Sequence, residues 1–339
     1  MSHESSIRRI WQGTCLTESV TRQSLLAAAV AAGVALGPGA DEARAQTRAS
    51  ILPTFRSSVD LVSVAAVVRD RRGQVVRNLR REDFRVLDGG VARPIVEFSS
   101  NEAGPISVAL VVDVSGSMAT AANLAAARRV VDHLLAWMQT GADEVALFTF
   151  DRELHEIQPF TTDPAQVRAT LATLDAWGMT SMWDAIGETA RRLQERTSKR
   201  RAIIVLTDGD DNASRLTADR VASVTIAADM PVYVVAVVAP IDRPTDGSGR
   251  PSPVSPTGQL GNLTYWTGGS IFVVSDDLQA SEAARTLLVE LRHQYVFAFE
   301  SAVASSPGWR PLDVRLERRG LSVRARSGYY AALARRDGQ

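Results

Sequence analysis

Asp113, Ser115 and Ser117 alternate in the run Asp113-Val114-Ser115-Gly116-Ser117-Met118, which sets one carboxylate and two hydroxyls on a short turn. Gly116 lets that backbone fold tightly, so both hydroxyls can face one point. Oxygen donors of this hardness suit Mg2+ or Mn2+ rather than a soft metal. Two further segments offer the same chemistry. Thr180, in Trp177-Gly178-Met179-Thr180-Ser181-Met182-Trp183-Asp184, follows a glycine at the start of an amphipathic stretch and supplies a third hydroxyl. Asp208, in Leu206-Thr207-Asp208-Gly209-Asp210, ends an apolar run and supplies a second carboxylate. The competing reading of the first motif is a helix N-cap, a role Asp and Ser fill routinely. It explains one segment and leaves the other two unaccounted for.

The elements that must position these residues alternate along the chain. Apolar runs at 107–112, 144–150, 202–206, 232–238 and 271–274 read as strands buried on both faces of a parallel sheet. Between them, 124–139, 164–174, 183–196, 218–227 and 278–291 repeat apolar residues at i, i+3/i+4 and read as helices. The expected fold is α/β, a doubly wound, mostly parallel sheet with helices on both faces. Its ligand crevice lies beyond the carboxyl ends of the strands, where all three oxygen-bearing segments can fall. On either side the texture is β: 59–68, 74–76, 82–90 with an Asp88-Gly89 turn, and 95–98, then 294–299, 312–316 and 321–326, closing at Gly328-Tyr329-Tyr330. These flanks are expected to form a small accessory β unit, the two chain ends pairing with each other. A Pro/Gly/Ser-rich loop runs from Pro240 to Thr257.

Composition narrows the chemistry. The 339 residues carry 38 basic and 38 acidic side chains, so no basic excess is available for binding nucleic acid. The single Cys excludes disulfide frameworks and Cys-rich zinc sites, and Lys199 is the one lysine. Near the start, Arg22 precedes the apolar run Leu25 to Leu36, followed by Gly37-Pro38-Gly39 and the small-x-small triplet Ala43-Arg44-Ala45. That run is shorter than the roughly 20 residues a membrane helix needs, so 1–45 reads as a cleaved export signal peptide, with a retained anchor as the alternative. No stable membrane span is expected after its cleavage, and the mature chain would be periplasmic or extracellular. Cys15 precedes the apolar run, which disfavours lipidation, and cleavage after Ala45 would leave no cysteine. The organisation read from the sequence is therefore 1–45 signal, 46–100 N-terminal β segment, 101–293 α/β domain, 294–331 C-terminal β segment and 332–339 tail.

Taken together, Asp113-x-Ser115-x-Ser117, the glycine-Thr180 segment and Thr207-Asp208-Gly209 resemble the metal-ion-dependent adhesion site of von Willebrand factor A-type domains. The likeness spans about 190 residues. It implies that Ser115, Ser117 and Thr180 are hydroxyl ligands of Mg2+ or Mn2+, that Asp113 and Asp208 hold the cation's waters, and that a protein partner's exposed Asp or Glu completes the coordination. Met179 stands where many relatives have a second glycine. The flanks, with Arg81-Glu82-Asp83-Phe84-Arg85-Val86-Leu87-Asp88-Gly89 and the ending Arg324-Ala325-Arg326-Ser327-Gly328-Tyr329-Tyr330, resemble a bacterial exported subfamily related to these domains. The implied role is protein binding without catalysis.

Several residues stay open between two readings. Asp184 either orients waters around the cation's ligands or supports its helix start, and Asp210 with Asp211 and Asn212 forms either a second cation site or a solvated loop. Trp177 and Trp183 form either a contact rim or core packing. The loop at 240–257 either meets the partner or is an excursion. His133, His155 and His293 have no metal or triad spacing. The alternative function is a Mg2+-dependent hydrolase of haloacid-dehalogenase type built on Asp113, Asp208 and Asp210. It needs a second Asp where Ser115 stands and a catalytic lysine, for which Lys199 is the sole candidate.

Overall fold

In a computed structural model, the residues described are 61–100, 104–176, 178–198, 200–209, 211–238, 258–301 and 308–331, all within one unit covering 57–339. The segment 1–45 read as an export signal, Trp177, Lys199, Asp210, the loop at 240–257 and the tail at 332–339 lie outside them. In chain order the elements are β1 (Leu61–Asp70), β2 (Phe84–Asp88), β3 (Val91–Arg93), β4 (Ile95–Ser99), β5 (Ile106–Asp113), α1 (Ala121–Trp137), β6 (Glu144–Phe150) and β7 (Leu154–Thr161). Next come α2 (Pro164–Leu171), α3 (Met182–Gln194), β8 (Arg200–Thr207), α4 (Ala218–Ala227), β9 (Val232–Val237), α5 (Gly258–Thr267), β10 (Ile271–Val274) and α6 (Asp277–Arg292). The last four are β11 (Tyr295–Glu300), β12 (Gly308–Leu316), β13 (Leu321–Ala325) and β14 (Gly328–Ala331).

The central sheet has the order β10-β9-β8-β5-β6-β7, parallel except for the β6/β7 pair. Its middle strand β5 is buried along its whole length. Successive side chains of a strand point to opposite faces, and β5 shows what that does here. Val108, Leu110 and Val112 pack with Leu134 of α1 and Leu287 of α6, while Ala109 and Val111 pack with Ile186 of α3 and Val221 of α4. Helices cover both faces, which is the expected doubly wound arrangement. Side-chain caps start α1, α2, α4 and α6, through Thr120, Asp163, Thr217 and Asp276.

The flanks form two antiparallel four-stranded sheets, β13-β1-β11-β4 and β14-β12-β2-β3. Strands from the two ends pair directly: Val64 lies opposite Phe297, and Val86 opposite Val314. Val64, Phe84, Val86, Tyr295, Phe297, Phe299 and Val314 form their shared core. Polar contacts dock this part on the central one. Glu290 of α6, fully buried, accepts hydrogen bonds from Arg69 of β1 and Arg324 of β13. Arg326 donates to Ile226 O at 2.9 Å. Gly269 belongs to the turn before β10, where a Cβ would stand 1.8 Å from Val232 O and displace backbone.

The structure departs from the sequence expectations in three places. Residues 74–76 make an isolated bridge between Arg69 and Val75 rather than a strand. The edge strand β7 was not among the candidates because LHEIQPFT is polar and half-exposed and contains Pro159, which an edge tolerates. Helix α5 was also unexpected. Its sequence GQLGNLTYWT is poor in helix formers, yet Leu260, Leu263 and Trp266 pack into the α3/α4 side of the core, and tertiary burial overrides weak propensity. Among the described residues no helix is long and apolar enough to cross a membrane.

Candidate metal centre

Parallel registry brings three strand ends together, with Asp113 of β5 level with Phe150 of β6 and Val112 level with Leu206 of β8. Thr207 and Asp208 thus emerge beside Asp113. The turn after β5 is held on both sides: Val114 N donates to Phe150 O at 3.0 Å, and Gly116 N donates to Gly178 O at 3.0 Å. The second bond ties the serine turn to the loop carrying Thr180. Gly178 has φ +113°, and a Cβ there would lie 3.0 Å from Asp151 Cβ, so both conformation and space require glycine.

The side chains form a continuous network. Asp113 Oδ1 accepts from Ser115 N at 2.8 Å, and Asp113 Oδ2 accepts from Thr207 Oγ1 at 2.6 Å. Ser115 Oγ and Ser117 Oγ are 3.1 Å apart. Ser117 Oγ donates to Asp208 Oδ1 at 2.7 Å, and Asn123 Nδ2 donates to Asp208 Oδ2 at 2.6 Å. Thr180 joins through its backbone: its N–H donates to Asn212 Oδ1 at 3.0 Å, and its carbonyl accepts from the N–H groups of Asn212 and Ala213 at 3.0 and 3.1 Å. Asp113, Ser115 and Thr180 are buried, whereas Ser117 is exposed and Asp208 half-buried. One edge of the arrangement is open to solvent.

Other candidates take structural positions. Asp184 accepts from Leu216 N at 2.8 Å through Oδ1 and from Arg215 N at 3.0 Å through Oδ2, so its carboxylate braces the loop before α4. Asp211 Oδ2 accepts from Trp183 N at 3.1 Å. Asp211 and Asn212 therefore serve the start of α3 and the Thr180 loop. Trp183 is buried against α3's side of the core. His133 lies 3.3 Å from Asp277 Oδ1, His155 3.4 Å from Asp151 Oδ1, and His293 bonds Val289 O, all apart from the Asp113–Asp208 network. Sequence reasoning assigned no role to Asn123 or Thr207, and read Asn212 only as part of a second cation site or a solvated loop. Thr207 carried a faint signal, a hydroxyl directly before Asp208.

Burial pushes the Asp113 carboxyl above the ordinary carboxylate range; hydrogen bonds from Thr207 and Ser115 pull it down, and the charge of Asp208 adds to the upward push. Among the described residues neither carboxylate forms an ion pair with an Arg or His, so their charges lack a side-chain counterion. A divalent cation fits that deficit. The described residues hold no group of three or more His, Cys, Asp or Glu suited to a metal. The donor set here is of another kind, two carboxylates joined by hydroxyls, and its chemistry matches a hard cation.

Residues 108–210 match the family described as von Willebrand factor type A domain. Solved structures are similar too. A conserved hypothetical protein, BatB from Bacteroides thetaiotaomicron, is 21% identical over 55% of this chain and 98% of its own, with a TM-score of 0.44. A von Willebrand factor type A protein from Catenulispora acidiphila is 12% identical over 83% of this chain and 76% of its own, at 0.46. The vWF domain of the type V pili tip protein Mfa5 from Porphyromonas gingivalis is 12% identical over 56% of this chain and 96% of its own, at 0.41. No curated protein sequence matches the chain.

Proposed function

With residues 108–210 matching the von Willebrand factor type A domain, we propose that this chain is an exported, metal-ion-dependent protein-binding module that captures an acidic side chain of its partner. The observation that supports this is the network from Asp113 through Ser115 and Ser117 to Asp208 at the carboxyl edge of the sheet, with Thr180 tied to it by the Gly116–Gly178 bond.

Ser115, Ser117 and Thr180 would hold Mg2+ or Mn2+ through their hydroxyls, with Asp113 and Asp208 holding its waters. Bound there, the cation supplies an electrophile for an external carboxylate, because most of its ligands are uncharged. The remaining work falls to the protein. Thr207 fixes Asp113 Oδ2, Ser115 N fixes Asp113 Oδ1, and Asn212 fixes the Thr180 backbone, so the donors are arranged before any partner arrives. Asp113 and Asp208 would stand behind the cation's waters rather than on the cation, so the metal would stay able to accept an external carboxylate at the open edge. The hydrolase alternative gains no observation, since Ser115 occupies the position where that chemistry needs a carboxylate.

Proteins from the exported fraction of the source cells, passed over the immobilised chain with Mg2+, are expected to be retained and to elute with chelator. The same retention in chelator, or by an Asp113→Asn chain, contradicts the proposal.

A further inference from the structure

Asn123 opens the first turn of α1, and its N–H is accepted by the cap hydroxyl Thr120 Oγ1 at 3.3 Å. Its side chain reaches out of the helix to Asp208, 85 positions away in sequence. Because a carboxylate only accepts, the contact fixes the amide's orientation, with Nδ2 and not Oδ1 facing Asp208. The second amide hydrogen lies towards Ser117 O, at 3.5 Å.

We propose that Asn123 is a positioning residue for the metal centre: by holding Asp208 Oδ2, it aims Asp208 Oδ1 at Ser117 Oγ and so prepares that hydroxyl to ligate a divalent cation. The inference rests on the proposed metal binding and deepens it. A hydroxyl oxygen can face a cation only with its lone pairs, so its proton must point elsewhere. Ser117 gives its proton to Asp208 Oδ1 at 2.7 Å, which orients the oxygen and makes it a better donor. Asp208 would not hold that pose alone. It is half-buried at the end of β8, precedes Gly209, and takes no ion pair among the described residues. The amide at 2.6 Å from Oδ2 fixes the carboxylate's rotation.

Asp113 offers the internal comparison. There too each carboxylate oxygen has its own donor, Ser115 N on one and Thr207 Oγ1 on the other. Thr207 comes from β8 and holds the carboxylate of β5; Asn123 comes from α1 and holds the carboxylate after β8. The serine turn is thus fixed from both sides by groups that do not themselves ligate.

Titration calorimetry of the whole chain with Mn2+ alone tests this. Asn123→Ala is expected to bind Mn2+ about tenfold more weakly, the usual scale for losing a group behind a ligand. Its metal-free melting temperature should stay close to that of the unaltered protein, because Asn123 is only half-buried. A crystal structure of metal-free Asn123→Ala should show Asp208 Oδ1 turned away from Ser117. Unchanged affinity, or an Asp208–Ser117 bond that survives the substitution, overturns the inference while leaving the metal site standing. If the unaltered protein binds no Mn2+, the site and the inference fall together.

Discussion

Replacing Glu290 with Ala is expected to lower stability by about 3 kcal/mol, a fall in melting temperature of roughly 6 °C. Glu290 is fully buried in α6 and accepts from two guanidinium groups, Arg69 and Arg324, that come from opposite ends of the chain. Removing it leaves two positive charges facing each other across an interior. The loss should sit at the low end of what breaking a buried ion pair costs, because each arginine keeps 27% side-chain exposure and can partly rehydrate. Arg69→Met should cost less, about 1 kcal/mol, since Arg324 remains to neutralise Glu290. Chemical denaturation of both variants checks the order. If Glu290→Ala and Arg69→Met cost the same, the shared-carboxylate account of the docking is wrong.

Asp113→Asn is expected to abolish divalent-cation binding without destabilising the metal-free protein. Burial and the charge of Asp208 already disfavour the Asp113 carboxylate, so a neutral isostere removes a cost rather than a support. Its hydrogen bonds can be remade. Asn Oδ1 can still accept from Ser115 N, and Thr207 Oγ1, already 3.3 Å from Gly209 O, can turn its proton there and accept from the new amide. In the unaltered protein, Mg2+ at a hundredfold excess over its dissociation constant should add about 2.7 kcal/mol of stability, a rise of roughly 5 °C. Asp113→Asn should show no such rise. A variant that still melts higher with Mg2+ would place the cation elsewhere.

Much of this was legible in the sequence, for identifiable reasons. β5, β6, β8 and β9 are buried on both faces, and such strands announce themselves as unbroken apolar runs. The oxygen donors were legible because Asp113, Ser115 and Ser117 share one turn and because Thr180 and Asp208 follow recognisable glycine and strand-end signals. What escaped was set by the fold. Asn123 meets Asp208 and Arg69 meets Glu290 only because distant elements are brought together, 85 and 221 positions apart in sequence. Asn212 likewise looked like part of a polar loop. Its position beside Thr180 depends on how that loop folds over α3. β7 and α5 were missed for the opposite reason, since local composition argued against elements that their neighbours stabilise.

The proposed divalent cation sits among the hydroxyls at the carboxyl edge of the sheet. Anomalous diffraction from crystals soaked in Mn2+ measures this directly. A single strong peak is expected among Ser115, Ser117 and Thr180, with Asp113 and Asp208 behind it, and it should be absent from Asp113→Asn crystals. No peak there at millimolar Mn2+, or a peak on other residues, contradicts the claim.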